Sequence, residues 1–402
     1  MLDLSLIADQ VAQAAGREAE RRTRAAEEAA LAVDVARAWS GDAWGDQVRR
    51  IRDARTSWLV AHCAPRSAPA GRDAAPPVPP QYVVVASDGS QIAPDRHDGV
   101  TSCWLLHIGR VFLSYGTGAR PHLDAHAEIL LLEDEDDGAD EPEQAALRGL
   151  GARRFAREMA ALGELAAEAA ETGLPAVALT DGSLIAWTLY DEEGTDPAKA
   201  EGLAALQATL AAAQALQVPL AGYVSLPQSR DVVNALRITL CPEEMVNCER
   251  CPYPKDAKPC APIRRATDAA LFARLLAPGE RSAVFSSFGQ KTGFSQILPM
   301  AYSDAHWIAF FYLNVGAEIV RIEIPAWVAE KPEFVELVHA VCLDQARKGR
   351  GYPVALAEAH ERAVVRGTDR AAFLTLLSRH LVKAGSPAVQ TRKALAKQSR
   401  AV

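Results

Sequence analysis

Between Gln81 and Leu226 the chain changes its hydrophobic rhythm in a fixed order: three strand-like runs, then helix, strand, helix, strand. YVVVAS, VTSCWLLHIG and RVFLSYG are short and apolar, and the last two are close enough to form the arms of a hairpin. Residues 143–172 then read as a helix stopped by Gly173-Leu174-Pro175 and followed by the strand AVALT; residues 198–217 read as a second helix, with LAGYVSL as the fifth strand. A strand meander needs cover for its faces, and alternating helices supply it. The order therefore specifies an α/β fold, a mixed sheet with flanking helices.

Two of these strands run into the same text, VVVASDGS ending at Ser90 and VALTDGS ending at Ser183. An Asp just past a buried strand stands at the carboxyl edge of the sheet, where ligands bind. The Gly lets the backbone turn sharply or approach a ligand closely, and the Ser can satisfy freed backbone groups. The strand order resembles the ribonuclease H-like fold, in which the first and fourth strands are neighbours, so Asp88 and Asp181 are expected to converge. Two carboxylates that close repel unless divalent cations lie between them, and a Mg²⁺ or Mn²⁺ pair suits an all-oxygen site.

A third carboxylate can be sought on the helix between those strands. On a 100° wheel Phe155, Met159, Leu162, Leu165 and Ala166 share one face; Glu158 lies inside that arc, and Glu164 and Glu168 fall on the opposite side. A carboxylate on an apolar face is costly without a partner, which a metal or a helix-edge salt bridge could provide. Near the C-terminus, Pro353 suits a first helical position, and Leu356, His360 and Val364 then form one i, i+4, i+8 ridge. His360 is expected to point inward, as a core residue or as a ligand for an ion such as Mn²⁺.

Residues 1 to about 62 are rich in Ala, Arg and Glu and read as an N-terminal helical arm, with a Pro-rich linker from Arg66 to Pro80. The main domain then spans residues 81–402, with a Cys-rich insertion at residues 241–262. Beyond the insertion, HWIAFFYLNV and AEIVRIEIP read as a strand pair, and two or three helices close the chain. The 402 residues, 49% of them apolar, can bury a real core. A formal net charge of -8 excludes a protein that coats nucleic acid indiscriminately. The acidic run Glu133–Glu143 reads as a solvated loop. With no charged-then-apolar leader and no run of 18 apolar residues, the expected location is cytoplasmic, without a membrane partner.

Of seven cysteines, Cys241, Cys248, Cys251 and Cys260 fall within twenty residues as C-x6-C-x2-C-x8-C. Pro242, Pro252, Pro254, Pro259 and Pro262 oppose regular structure there. A tetrahedral four-thiolate Zn²⁺ site leads, ahead of an iron–sulfur cluster or free thiols.

Five texts together resemble the NurA-domain nucleases: ASDGSQIAPDRH at 86–97, ALTDGSL at 178–184, the ERS within 278–285, FFYLNVGAEIVRIEIPAWV at 310–328 and GYPVALAEAH at 351–360. The likeness runs in order over roughly residues 80–385, and the Cys-rich insertion departs from the shorter archaeal members. The resemblance implies a Mn²⁺-dependent deoxyribonuclease working 5′ to 3′, with endonuclease activity on single strands. It further implies a homodimer acting on DNA ends with a HerA-type hexameric ATPase, in end resection and double-strand break repair. Asp88 and Asp181 then match the metal-binding aspartates, His360 the late histidine, and Glu158 the helix glutamate, with Glu164 as its competitor. Two ions held by these four residues would activate the attacking water and stabilise the leaving 3′ oxygen. Ser90, Ser183, Arg230, Arg281 and Tyr352 are the candidates for substrate contact. The competing readings are a non-catalytic DNA-threading adaptor of the ATPase, and the same nuclease turned against phage.

Overall fold

The computed structural model describes residues 4–39, 42–63, 68–93, 103–131, 142–189, 196–255, 257–286 and 302–385. In chain order, helices α1 (Ala8–Ala38) and α2 (Asp42–Asp53) precede strands β1 (His62–Cys63), β2 (Arg72–Asp73), β3 (Tyr82–Ile92), β4 (Cys103–Tyr115) and β5 (His122–Leu131). Then come α3 (Pro142–Glu171), β6 (Ala176–Asp181), α4 (Pro197–Leu216), β7 (Leu220–Val224), α5 (Asp231–Thr239) and α6 (Asp268–Leu275). The rest comprises β8 (Arg281–Ser282), β9 (Phe285–Ser286), β10 (Ile308–Asn314), β11 (Ile319–Pro325), α7 (Ala326–Ala329), α8 (Pro332–Lys348), α9 (Val354–Ala363) and α10 (Gly367–Lys383). Two compact units share these elements: Val78–Ala221 with Tyr352–Val402, here the site unit, and Met1–Pro77 with Gly222–Gly351, the companion unit.

In the site unit the strand order is β7-β6-β3-β4-β5. The meander β3-β4-β5 is antiparallel, and β6 joins β3 in parallel, with Ala86 opposite Leu179. This is the ribonuclease H-like order. Tyr82 to Ala86 are all buried, because β3 is covered on both faces and so reads as an unbroken apolar run. Side chains alternate across the strand: Ser87 and Gly89 meet α3, whereas Asp88 and Ser90 meet α9.

Two local expectations are corrected. VTSCWLLHIG and RVFLSYG do not form a hairpin; from Cys103 onward they are one strand of 13 residues. Gly109 makes no turn: a β-carbon there would lie 2.4 Å from the Ala359 carbonyl oxygen, so this glycine admits the backbone of α9. The real turn holds Gly116 and Gly118, with φ of +73° and +74°, and leads into β5, an edge strand largely exposed on both faces. Likewise Asp88-Gly89-Ser90 does not end a strand. It lies within β3, paired with Gly109, Ile108 and His107 of β4. The acidic run, up to residue 141, lies outside the described residues.

In the companion unit, β10 and β11 form the expected antiparallel pair, and β11 continues to residues 222–224. The helical text near the N-terminus gives α1 and α2, but residues 54–63 are not helical, with Arg55 bridged to Asn247. Within the Pro-rich stretch, Arg72–Asp73 pairs with Arg281–Ser282. A buried arginine organises the interior: Arg321 lies 2.7 Å from Asp231 and 2.8 Å from Glu323, with its guanidinium over Phe310. Nearby, the Tyr312 hydroxyl donates to Asp268 at 2.8 Å. Among the described residues no helix is long and apolar enough to cross a membrane.

Candidate active site

Asp88 and Asp181 each stand two residues beyond the Ala86–Leu179 pair, so the parallel register sets them side by side at the end of β6. Asp88 is directed toward α9: its Oδ1 accepts the Gly89 N–H at 2.8 Å, and its Oδ2 lies 2.8 Å from His360 Nδ1. Two residues further on, the Ser90 hydroxyl donates to the Ala363 carbonyl, which also accepts from His107 Nδ1 at 3.0 Å. Ser90 therefore ties β3 to the end of α9 instead of presenting its hydroxyl to a substrate.

His360 does not point inward as its ridge with Leu356 suggests; its side chain is 67% exposed. The inward row of α9 is Ala355, Ala359 and Ala363, whose small side chains let the helix settle against Gly109. The imidazole thus stands at the helix edge and reaches Asp88 from the solvent side. Pro353 caps the helix and Val354 is its first residue.

Glu158 approaches β3 from the opposite face. Met159, Leu162, Leu165 and Ala166 bury α3 on the sheet, and the Ser87 hydroxyl donates to the Glu158 carbonyl at 2.8 Å. The Glu158 side chain is only 14% exposed, whereas Glu164, at 67%, faces outward beside Arg110. One turn earlier on α3, Arg154 brings Nε to 3.1 Å from Glu158 Oε1. The pair is not aligned for a hydrogen bond, so both atoms are buried without a hydrogen-bond partner. Burial pushes the Glu158 carboxyl up to about 7; Arg154 opposes the shift, and the charges of Asp88 and Asp181 add to it. Arg154 was not among the sequence candidates. Its signal is the i, i+4 Arg–Glu spacing on a helix.

Asp181 closes β6. The residue is exposed, yet its carboxyl is enclosed enough that burial raises its pKa; the Tyr352 hydroxyl opposes this by donating a hydrogen bond, Asp88 adds to it, and His360 opposes it. Tyr352 therefore acts on a carboxylate, a contact its place before α9 did not reveal. Gly182 turns with φ of +99°, and Ser183 Oγ accepts the Ile185 N–H at 3.0 Å, fixing the loop that follows.

Arg230 and Arg281 belong to the companion unit. Arg281 is occupied there, with Nη1 2.7 Å from Asp73 and 2.8 Å from the Ser282 carbonyl. Arg230 is exposed just ahead of α5, and its carbonyl accepts the Asn234 N–H at 2.7 Å.

The site unit thus gathers three carboxylates, an imidazole and a phenol around two adjacent strands. Each carboxylate has a protein partner: His360 for Asp88, Arg154 for Glu158, Tyr352 for Asp181. Among the described residues no three His, Cys, Asp or Glu side chains already converge as a ligand set. The donors nevertheless fit a hard divalent cation, since they are carboxylate oxygens and one imidazole, and the buried Glu158 Oε1 lacks a hydrogen bond.

Fold and site together define a ribonuclease H-like α/β protein with an acidic centre on its first and fourth strands. Residues 82–365 match the NurA domain, and the chain belongs to the NurA-domain family, a family of nucleases. The crystal structure of the NurA nuclease from Sulfolobus solfataricus is similar at 12% sequence identity and a TM-score of 0.46, over 85% of this chain and 92% of that one. No curated protein matches the chain in sequence.

Proposed function

We propose that the chain is a divalent-cation-dependent deoxyribonuclease that hydrolyses phosphodiester bonds at Asp88, Glu158 and Asp181. The observation that carries this reading is Glu158, a carboxylate 14% exposed, within electrostatic reach of two aspartates, with one oxygen lacking a hydrogen bond. Such a concentration of negative charge is costly by itself and suits a site that receives cations. Asp88, Glu158, Asp181 and His360 would hold Mn²⁺, or Mg²⁺ in its place. Bound as a pair, these ions supply an activated water and neutralise charge on the leaving oxygen.

The residues around the carboxylates orient them. His360 Nδ1 fixes the direction of Asp88, the Tyr352 hydroxyl opposes the rise that burial imposes on the Asp181 pKa, and Arg154 offsets the charge of Glu158. Products carrying a 5′-phosphate and a 3′-hydroxyl are expected.

The family resemblance supports 5′ to 3′ polarity with single-strand endonuclease activity, a homodimer, and action on DNA ends in repair beside a HerA-type ATPase. The net charge of -8 agrees with a need for a motor that delivers the strand. Asp88→Asn and Asp181→Asn should each abolish metal-dependent nucleotide release from linear DNA while leaving the folded chain intact. A wild-type rate in either variant overturns the reading. A wild-type chain that binds the ATPase but cleaves no DNA with any divalent ion would instead be an adaptor.

A further inference from the structure

The four clustered cysteines lie in the companion unit, away from any role in the chemistry proposed above. All four are half-buried and unbridged, and the described residues from Leu240 to Cys260 contain no helix or strand. Its first part is anchored on residues 50–55. The Arg50 guanidinium donates to the carbonyls of Cys241 and Glu243, Arg55 N–H donates to the Val246 carbonyl at 2.9 Å, and Cys248 N–H donates to the Arg55 carbonyl at 2.8 Å.

Beyond Cys248 the backbone makes two tight turns, each carrying cysteine. Asn247 Oδ1 accepts the Arg250 N–H at 3.1 Å, closing the turn that holds Cys248 and leads to Cys251. Ala261 N–H donates to the Lys258 carbonyl at 2.8 Å, closing the turn that presents Cys260. A C-x2-C pair on a tight turn is the arrangement by which two thiolates bind one ion. Arg237 Nη2 donates to Cys260 Sγ at 4.0 Å, the kind of outer hydrogen bond that favours a thiolate ligand.

We infer that Cys241, Cys248, Cys251 and Cys260 form a structural four-thiolate Zn²⁺ site that fastens the insertion to the residues just after α2. The insertion at residues 241–262, with five prolines and anchored in the core through Val246, gains from an ion a crosslink that this packing alone does not give. Loading turns the cysteine side chains inward, since the thiols do not already converge as a ligand set. The closed four-sulfur shell leaves no position for substrate, so the ion holds shape and takes no part in hydrolysis.

The test uses the full chain purified anaerobically from zinc- and iron-replete medium. Elemental analysis should give about one zinc per chain, with no visible absorbance. Titrating the thiols with a mercurial should release that zinc. Cobalt substitution should give the visible bands of a tetrahedral thiolate site. Cys248→Ser and Cys251→Ser should each lose the zinc and be cut severalfold faster by protease within residues 241–262, while Cys103→Ser keeps it. If the serine variants fail to fold, zinc stoichiometry and cobalt spectra of the wild-type chain still decide. A chain without bound metal overturns the site, as does a brown chain with stoichiometric iron and sulfide. Full zinc retention in both folded serine variants also overturns it.

Discussion

Glu158 Oε1 lies 2.5 Å from the point where a β-carbon on residue 89 would stand. Glycine in the first Asp-Gly-Ser therefore makes room for a carboxylate from the facing helix, and Arg154 Cγ, at 2.9 Å from the same point, closes the space further. Gly89→Ala should displace Glu158 and lower the rate of DNA cleavage by about 100-fold, the scale expected for an ångström-sized misplacement. Steady-state cleavage beside a circular dichroism spectrum checks this. Near-wild-type cleavage would show that the close approach has no catalytic consequence.

Glu158 also gives the metal-free protein a definite pH dependence. Its carboxyl titrates at about 7 in the folded chain and at 4.5 ordinarily, so between these values the folded state holds a proton that the unfolded state has released. Stability should fall as pH rises through this window, by up to roughly 3 kcal/mol. Above pH 7 the full penalty is present, and Mn²⁺ should remove it by pairing with the carboxylate. Glu158→Gln should flatten the dependence and stabilise the chelated protein at pH 8 while losing cleavage. Glu164→Gln, on the exposed side, should change stability by less than about 0.5 kcal/mol. Urea titrations in chelator across this pH range are the measurement, and identical pH profiles for Glu158→Gln and wild type would contradict the assignment.

Tyr352→Phe removes the hydrogen bond that opposes the burial of Asp181. The Asp181 carboxyl should then hold its proton to higher pH, moving the acidic limb of the activity profile upward and reducing the rate at neutral pH on the order of 10-fold. A pH–rate profile resolves this, because loss of helix-start packing alone would lower the rate without moving the limb.

The sheet was legible where burial and secondary structure agree. Val83–Val85 and Val177–Leu179 read as buried strands, and the wheel placed Glu158 against the sheet, because covered strands are continuously apolar and packed helices keep their period. Signals failed where a residue answers to a distant neighbour. Gly109 resembles a turn residue in sequence but exists to admit α9, and β5 is too exposed to carry an apolar pattern. His360 reads as inward because its ridge runs through the buried Leu356, whereas the row that α9 sets against the sheet is Ala355, Ala359 and Ala363, one residue away. Arg154 is legible only as an i, i+4 neighbour of Glu158, whereas the contacts of Tyr352 and Ala363 are invisible in the sequence, since each depends on how α9 crosses β3 and β6.

Diffraction from Mn²⁺-soaked crystals, recorded at the manganese absorption edge, tests most directly whether these carboxylates form a cation site. The account predicts an anomalous peak bound by Asp88 and Asp181, with the Glu158 carboxylate turned toward it, and loss of that peak in Asp88→Asn. A protein that cleaves DNA in Mn²⁺ yet shows no manganese between Asp88 and Asp181 in fully soaked crystals would contradict it.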